Sequence, residues 1–245
     1  MAKIKKQRKK GDNGIVIATV IITLLFVISA GYLIGGDNLV STVFQKESKG
    51  RTFYFITTDN FDDITIARQN AELIRCRGGA GYVDMRENNR IILAVYPDEQ
   101  SAKSVFNKMG DGSLVVAELE TPEYKINLKK KDLNTACTDA LTYFDIAFDG
   151  LYKLSNDLAD NLVSVEDVKV QISALYSRID EIKSAFYEKT KESDVEIITE
   201  IKVAIVTCLA IIDGVEIGDY AGTLSSLRRQ AVQLVYCYQS LLNTL

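Results

Sequence analysis

Few residues in this sequence have the type and spacing that catalysis or metal binding needs. The 245-residue chain has no histidine, which excludes Ser-His-Asp and Cys-His catalysis and the H-E-x-x-H zinc motif. The nucleophile motifs S-x-x-K and G-x-S-x-G are also missing from it. The glycine-rich segment 78–81 follows a predicted helix and precedes a predicted strand, which is the reverse of a phosphate-binding loop. We therefore predict no catalytic residue, no metal site and no cofactor, and a protein that is not an enzyme.

The paired carboxylates and the cysteines are better explained by structural roles than by catalysis or metal binding. The carboxylate pair Asp62 and Asp63 fits the first turn of a helix, where the helix dipole favours negative charge. No C-x-x-C pair occurs among the four cysteines, Cys76, Cys137, Cys208 and Cys237. We expect structural thiols, and a Cys137–Cys208 or Cys137–Cys237 disulfide is the alternative.

The amino-terminal region has the pattern of a membrane anchor. Residues 1–13 form a basic head with six Lys/Arg and one Asp, and residues 14–36 carry no charge. About 20 apolar residues in a helix cover about 30 Å, the thickness of the hydrocarbon core. The alternative is a cleavable signal peptide with Ser29–Gly31 as its site, but the apolar run continues to Ile34. By the positive-inside rule, we expect a cytoplasmic N-terminus, a single span and an extracytoplasmic bulk, as in a bacterial envelope protein.

The rest of the chain is acidic, because the net charge is −4 despite the basic head. An acidic body disfavours nucleic-acid binding. Residues 37–51 are polar and mixed in charge, and we interpret them as a tether between the anchor and the first folded unit.

Residues 52–121 alternate between strand and helix patterns. The predicted order is a strand at 52–58, a helix from Ile64 to the glycines at 78–79, strands at 80–85 and 90–96 joined by an Asn88-Asn89 turn, a helix after Pro97, and a strand at 113–119. This βαββαβ order is the ferredoxin-like arrangement, in which two helices cover one face of an antiparallel sheet. The other face is predicted to be bare.

This unit resembles the SPOR domain, a bacterial envelope module. The resemblance rests on Asn60-Phe61, on the helical residues Ala67, Ala71 and Leu73, on segment 78–83, and on Arg90–Pro97 followed by Ser101-Ala102. It implies binding to peptidoglycan, particularly to glycan strands without stem peptides, and a role in cell division, sporulation or cell-wall organisation. The family's usual Gln and Gly at the first strand, and Arg and Gly at the third, are replaced by Thr57, Asp59, Ile92 and Ala94.

Strand alternation selects the candidate ligand residues. If Tyr54 and Ile56 face the helices, the neighbouring positions face outward. Aromatic rings there suit the apolar faces of sugars, and arginines can donate to hydroxyl groups. The glycan-binding candidates are Phe53, Phe55, Thr57, Tyr82, Arg86 and Arg90. The alternative is a structural adaptor, in which this face has lost glycan binding and packs on the C-terminal region.

Residues 131–245 show long helical patterns with apolar residues every three or four positions. We predict a bundle of about four helices, with the almost continuously apolar run Val203–Ile212 as the most buried element. A homodimeric coiled coil is the alternative. The predicted class is therefore α+β: a transmembrane helix, a SPOR-like unit and a helical bundle that binds envelope or division proteins.

Overall fold

A four-stranded antiparallel sheet and six helices make up the part of the chain that the structure, a computed structural model, describes: residues 50–110 and 112–245. The predicted basic head, the predicted transmembrane helix and residues 37–49 of the predicted tether lie outside these residues. Among the residues that are described, none of the helices combines the length and apolar character needed to cross a bilayer.

The first half of the described chain has the predicted βαββαβ order. Its elements are β1 (Thr52–Thr58), α1 (Ile64–Arg75), β2 (Tyr82–Asp84), a 3₁₀ turn (Met85–Glu87), β3 (Arg90–Tyr96), α2 (Glu99–Met109) and β4 (Leu114–Glu120). The strands lie in the order β2-β3-β1-β4, and every neighbouring pair is antiparallel. This arrangement agrees with the α+β class.

Short polar side chains set the boundaries of these elements. The carboxylates of Asp63 and Asp98 accept hydrogen bonds from the backbone N–H groups of Thr65 and Ser101, at 2.6 and 2.8 Å, and so cap α1 and α2. Asn88 and Asn89 have φ of 51° and 57°, a left-handed conformation that asparagine adopts more readily than most residues. They turn the chain from the 3₁₀ segment into β3, as predicted.

The second half is a four-helix bundle. Its helices are α3 (Lys131–Ala159), α4 (Val165–Thr190), α5 (Glu196–Asp213) and α6 (Tyr220–Leu242). Helices α3 and α6 contact the sheet, whereas α4 and α5 pack on the far side of that pair. The sheet and the bundle share one hydrophobic core, which includes Phe53 and Phe55 of β1 and residues of all four bundle helices.

The prediction that the run Val203–Ile212 is the most buried element is wrong. Helix α5 belongs to the outer layer, and Val203 and Val206 are 57% and 48% exposed. The helix with the most extensive burial is α6, because it lies between the sheet and the rest of the bundle. An apolar helix therefore presents an uncharged outer stripe made of Thr199, Val203, Val206, Thr207 and Ala210.

Helix α4 depends on its N-terminal cap more than its neighbours do, because much of its surface is exposed. Ser164 and Asp167 form a capping box, in which the Asp167 N–H donates to Ser164 Oγ at 3.1 Å and the Ser164 N–H donates to the Asp167 carboxylate at 2.9 Å. We expect Ser164→Ala to lower the free energy of unfolding by about 0.5–2 kcal/mol. Urea denaturation measures this loss, and Ser173→Ala on the exposed face of the same helix is the control. Equal stability of the two variants would contradict the assignment of the cap.

Candidate functional site: the interface between sheet and bundle

The sheet face that the sequence predicts to be bare is covered. Helices α1 and α2 pack on one face, where Ile56, Ile91 and Ala102 are buried. Helices α3 and α6 pack on the other face, against Phe53, Phe55 and Ile92. Strand alternation therefore assigned the residues to the correct faces, but the expectation of an open face is wrong, because the C-terminal bundle supplies a second apolar layer.

Aromatic rings from α3 fill the space over the first half of β1. The Phe53 ring meets those of Phe144 and Phe148 edge-on, with centroids 5.8 and 5.1 Å apart. Phe144 in turn stacks on Tyr238 of α6 at 3.8 Å. These edge-to-face and stacked contacts are the geometries that aromatic quadrupoles favour, and they add to the burial of large apolar areas.

Tyr236 of α6 occupies the centre of the predicted ligand face. Its ring lies 5.6 Å, centroid to centroid, from the rings of both Phe55 and Tyr82. The guanidinium carbon of Arg86 lies 3.4 Å from the centroid of the Tyr236 ring. The Tyr236 hydroxyl donates a hydrogen bond of 2.6 Å to the carboxylate of Asp84. Tyr236 therefore makes the stacking and polar contacts that a bound sugar was expected to make on this face.

Asp84 is the polar anchor of this arrangement, and its side chain is only 2% exposed. Besides Tyr236, its carboxylate accepts hydrogen bonds from Nε and the backbone N–H of Arg86, at 3.1 and 3.2 Å, and lies 3.6 Å from the guanidinium of Arg90. Burial by itself raises the pKa of Asp84, but the hydrogen bonds from Tyr236 and Arg86 and the charge of Arg86 outweigh it, so the pKa is lowered from its ordinary value. Burial, together with the bond to Asp84, raises the pKa of Tyr236. At neutral pH, a charged carboxylate therefore faces a protonated hydroxyl.

The six predicted glycan-binding residues have different surroundings. Phe53, Phe55 and Thr57 have no exposed surface. Tyr82 and Arg90 are partly buried, and only Arg86 is largely open to solvent. Phe55, Tyr82 and Arg86 converge on Tyr236, Arg90 reaches Asp84, and Phe53 packs separately against α3. In this structure the six do not form an accessible surface on which a sugar ring could stack.

Sequence reasoning missed Tyr236 on α6 and the aromatic residues Phe144 and Phe148 on α3, which together cover this face. Alternation placed Asp84 on the outward face, but no local pattern links it to a tyrosine 152 positions later. One available signal was the density of aromatic residues at helical spacing in the bundle, such as Tyr143, Phe144 and Phe148. Such a stripe indicates a buried helix face without saying what it is buried against.

The other reactive groups are structural or already paired. All four cysteines are free thiols, so neither alternative disulfide forms. Cys137 and Cys208 are buried, and burial raises the pKa of Cys137 to about 11, which makes the thiol a weak nucleophile. A surface cavity of about 530 Å³ between α1 and α6 contains Arg75 and Arg229, but these form ion pairs with Glu72 and Glu216. No cluster of potential metal ligands occurs within residues 50–110 and 112–245.

Comparison with known proteins identifies no relative of this chain. The chain matches no family model, no curated protein and no solved structure.

Proposed function

We propose that this chain is a membrane-anchored structural adaptor of the bacterial envelope, in which a SPOR-like sheet serves as the support for a partner-binding helical bundle. The observation that carries this proposal is the burial of Phe53 and Phe55, which have no exposed surface. These are two of the three aromatic residues predicted to stack on a glycan, and the third, Tyr82, packs against Tyr236. In the adaptor, the sheet holds α3 and α6 in place, and the outer helices α4 and α5 remain free for a protein partner.

The size of the interface favours the adaptor over peptidoglycan binding at this face. Exposing Phe53, Phe55 and Ile92 requires α3 and α6 to leave the sheet, and each such side chain contributes about 1.5–3 kcal/mol by its burial. Their aromatic partners Phe144 and Tyr236 would be exposed as well. The total is on the order of 10 kcal/mol, comparable with the whole stability of a domain. A ligand with a millimolar dissociation constant returns only about 4 kcal/mol.

The outer stripe of α5, defined above by Thr199, Val203, Val206, Thr207 and Ala210, supports the partner-binding half of the proposal. It extends over about three helical turns without a charged side chain. Two exposed valines, Val203 and Val206, lie at its centre, and an exposed uncharged surface of this kind is suited to an interaction site. We assign this stripe to contact with a protein partner that presents an apolar helix.

A sedimentation assay distinguishes the adaptor function from glycan binding. The purified full chain in mild detergent is mixed with insoluble peptidoglycan, either intact or treated with an amidase that removes the stem peptides. We expect the protein to stay in the supernatant in both cases. Retention on the amidase-treated material that is lost in Arg86→Ala, but kept in the exposed control Arg178→Ala, would instead establish glycan binding.

Site-specific photocrosslinking in cells tests the partner surface. A photoreactive amino acid at position 203 should produce a discrete adduct of higher mass, whereas the same residue at the polar, exposed position 171 on α4 should not. An adduct of twice the mass of the chain would identify a second copy as the partner, as in the homodimer alternative. If position 203 gives no adduct at all, the stripe does not bind a partner.

A further inference from the structure

Arg228 on α6 is a partly buried cation without an acidic partner. One of its terminal nitrogens donates to the carbonyl oxygen of Gly78 at 3.0 Å, and no ion pair involves this arginine within the described part of the chain. The next residue differs in this respect, because Arg229 lies 3.3 Å from the carboxylate of Glu216. A guanidinium group has five N–H donors, so most of the donors of Arg228 remain available.

Gly78, in the turn between α1 and β2, lets the backbone of this turn approach α6 closely. Its φ of +82° is unfavourable for other residues, and a Cβ atom there would lie 2.9 Å from Leu224 of α6. The turn after α1 therefore places a carbonyl group beside Arg228. This hydrogen bond gives the guanidinium a fixed position but does not neutralise its charge.

A small cavity lies beside Arg228, at the point where β3, α3 and α6 meet. Tyr96 of β3 and Tyr152, Ser155 and Asn156 of α3 contribute to its wall. The space open to the centre of a water-sized particle is about 10 Å³, which corresponds to about one such particle. The cavity therefore has room for a single water molecule or a small ion.

Side chains that carry hydrogen-bond donors line this cavity, and no carboxylate is among the described residues that line it. Ser155 Oγ already donates to the carbonyl oxygen of Tyr152 at 2.8 Å, whereas the amide of Asn156 and the hydroxyl of Tyr96 can still donate. Burial raises the pKa of Tyr96 to about 12 despite the opposing charge of Arg228, so its hydroxyl is protonated at neutral pH. The nearest acid in sequence, Asp157, pairs with Lys153.

We propose that this cavity binds one small monovalent inorganic anion, with chloride as the physiological occupant, as the counter-ion of Arg228. Partial withdrawal of the guanidinium charge from water is unfavourable, and a hydrogen-bonded anion offsets that cost. A water molecule would satisfy the donors but leave the charge uncompensated. The bound anion joins β3, α3 and α6, and so helps to hold the bundle against the sheet. This inference does not depend on the proposed function.

Chloride-dependent stability of the full chain tests the site. Unfolding is followed in sodium chloride and in sodium gluconate at the same ionic strength, so that general screening is equal in both. Above the dissociation constant, each tenfold increase in chloride should raise the ratio of folded to unfolded protein about tenfold. Arg228→Met should lose this dependence, and the control Arg229→Met should keep it. Equal stability in both salts, or an undiminished chloride effect in Arg228→Met, would overturn the proposal.

A direct measurement on the unaltered protein covers the case in which Arg228→Met fails to fold. Crystals grown in sodium bromide should show one anomalous scattering peak between Arg228 and Asn156. A peak confined to the protein surface, or electron density that refines as water, would show that the cavity holds no anion.

Discussion

Replacing Phe53 with alanine should lower the free energy of unfolding by about 3–5 kcal/mol, the usual loss for a buried phenylalanine. The ring is fully buried and contacts Phe144 and Phe148, so its removal leaves a cavity between β1 and α3. Urea denaturation followed by circular dichroism measures the change. Because the sheet and the bundle share one hydrophobic core, we expect them still to unfold in a single transition.

The matched control for this substitution is Leu162→Ala. Leu162 lies between α3 and α4 and is 71% exposed, so its truncation should change stability by no more than about 0.5 kcal/mol. A loss below about 1 kcal/mol for Phe53→Ala would mean that the β1 face is not part of the core. The adaptor proposal would then lose its main support.

Replacing Asp84 with alanine should cost about 2–4 kcal/mol at neutral pH. The substitution leaves the buried Tyr236 hydroxyl without its acceptor and removes the carboxylate that faces Arg86 and Arg90. The loss stays below that of a fully buried ion pair because Arg86 is largely open and regains water. The control is Glu87→Ala, an exposed acid in the same 3₁₀ turn, for which we expect almost no change in the urea midpoint.

The Asp84 contribution should also depend on pH in a defined direction. The pKa of this group is lowered in the folded protein from its ordinary value of 3.8, so the unfolded chain takes up its proton first as the pH falls. The stabilisation is therefore fully present above 3.8 and is lost as the pH falls through the folded value. The difference in unfolding free energy between wild type and Asp84→Ala should shrink in acid. A difference that is constant from neutral pH to well below 3.8 would contradict the role assigned to the charged carboxylate.

Much of the secondary structure was predictable because local signals determine it. Strand β1 at 52–58 and strand β3 at 90–96 have the predicted bounds, and α1 begins at Ile64 as predicted. The β-branched and aromatic runs, the aspartate caps and the Asn88-Asn89 turn all act within a few residues of the chain. Three of the four bundle helices likewise follow from apolar residues at spacings of three and four, and α5 follows from its nearly continuous apolar run.

The packing of these elements could not be derived in the same way. Alternation along β1 places Phe53 and Phe55 on one face, but it does not indicate whether a ligand or a helix covers that face. The hydrogen bond between Asp84 and Tyr236 joins residues 152 positions apart, and no local rule relates them. The high apolar content of α5 suggested a central helix, yet Val203 faces outward, because composition does not report which neighbours a helix has.

Hydroxyl-radical footprinting of the intact chain tests most directly whether the bundle closes the sheet face, since it reports the solvent accessibility of aromatic and sulfur-containing side chains without substitution. Tyr220 and Met85, which are 44% and 68% exposed, provide internal standards for oxidation by mass spectrometry. We predict that Phe53, Phe55 and Tyr236 stay unmodified at doses that oxidise both standards. Oxidation of Phe53 and Phe55 at rates similar to that of Tyr220 would show that the face is open in solution and would contradict the account.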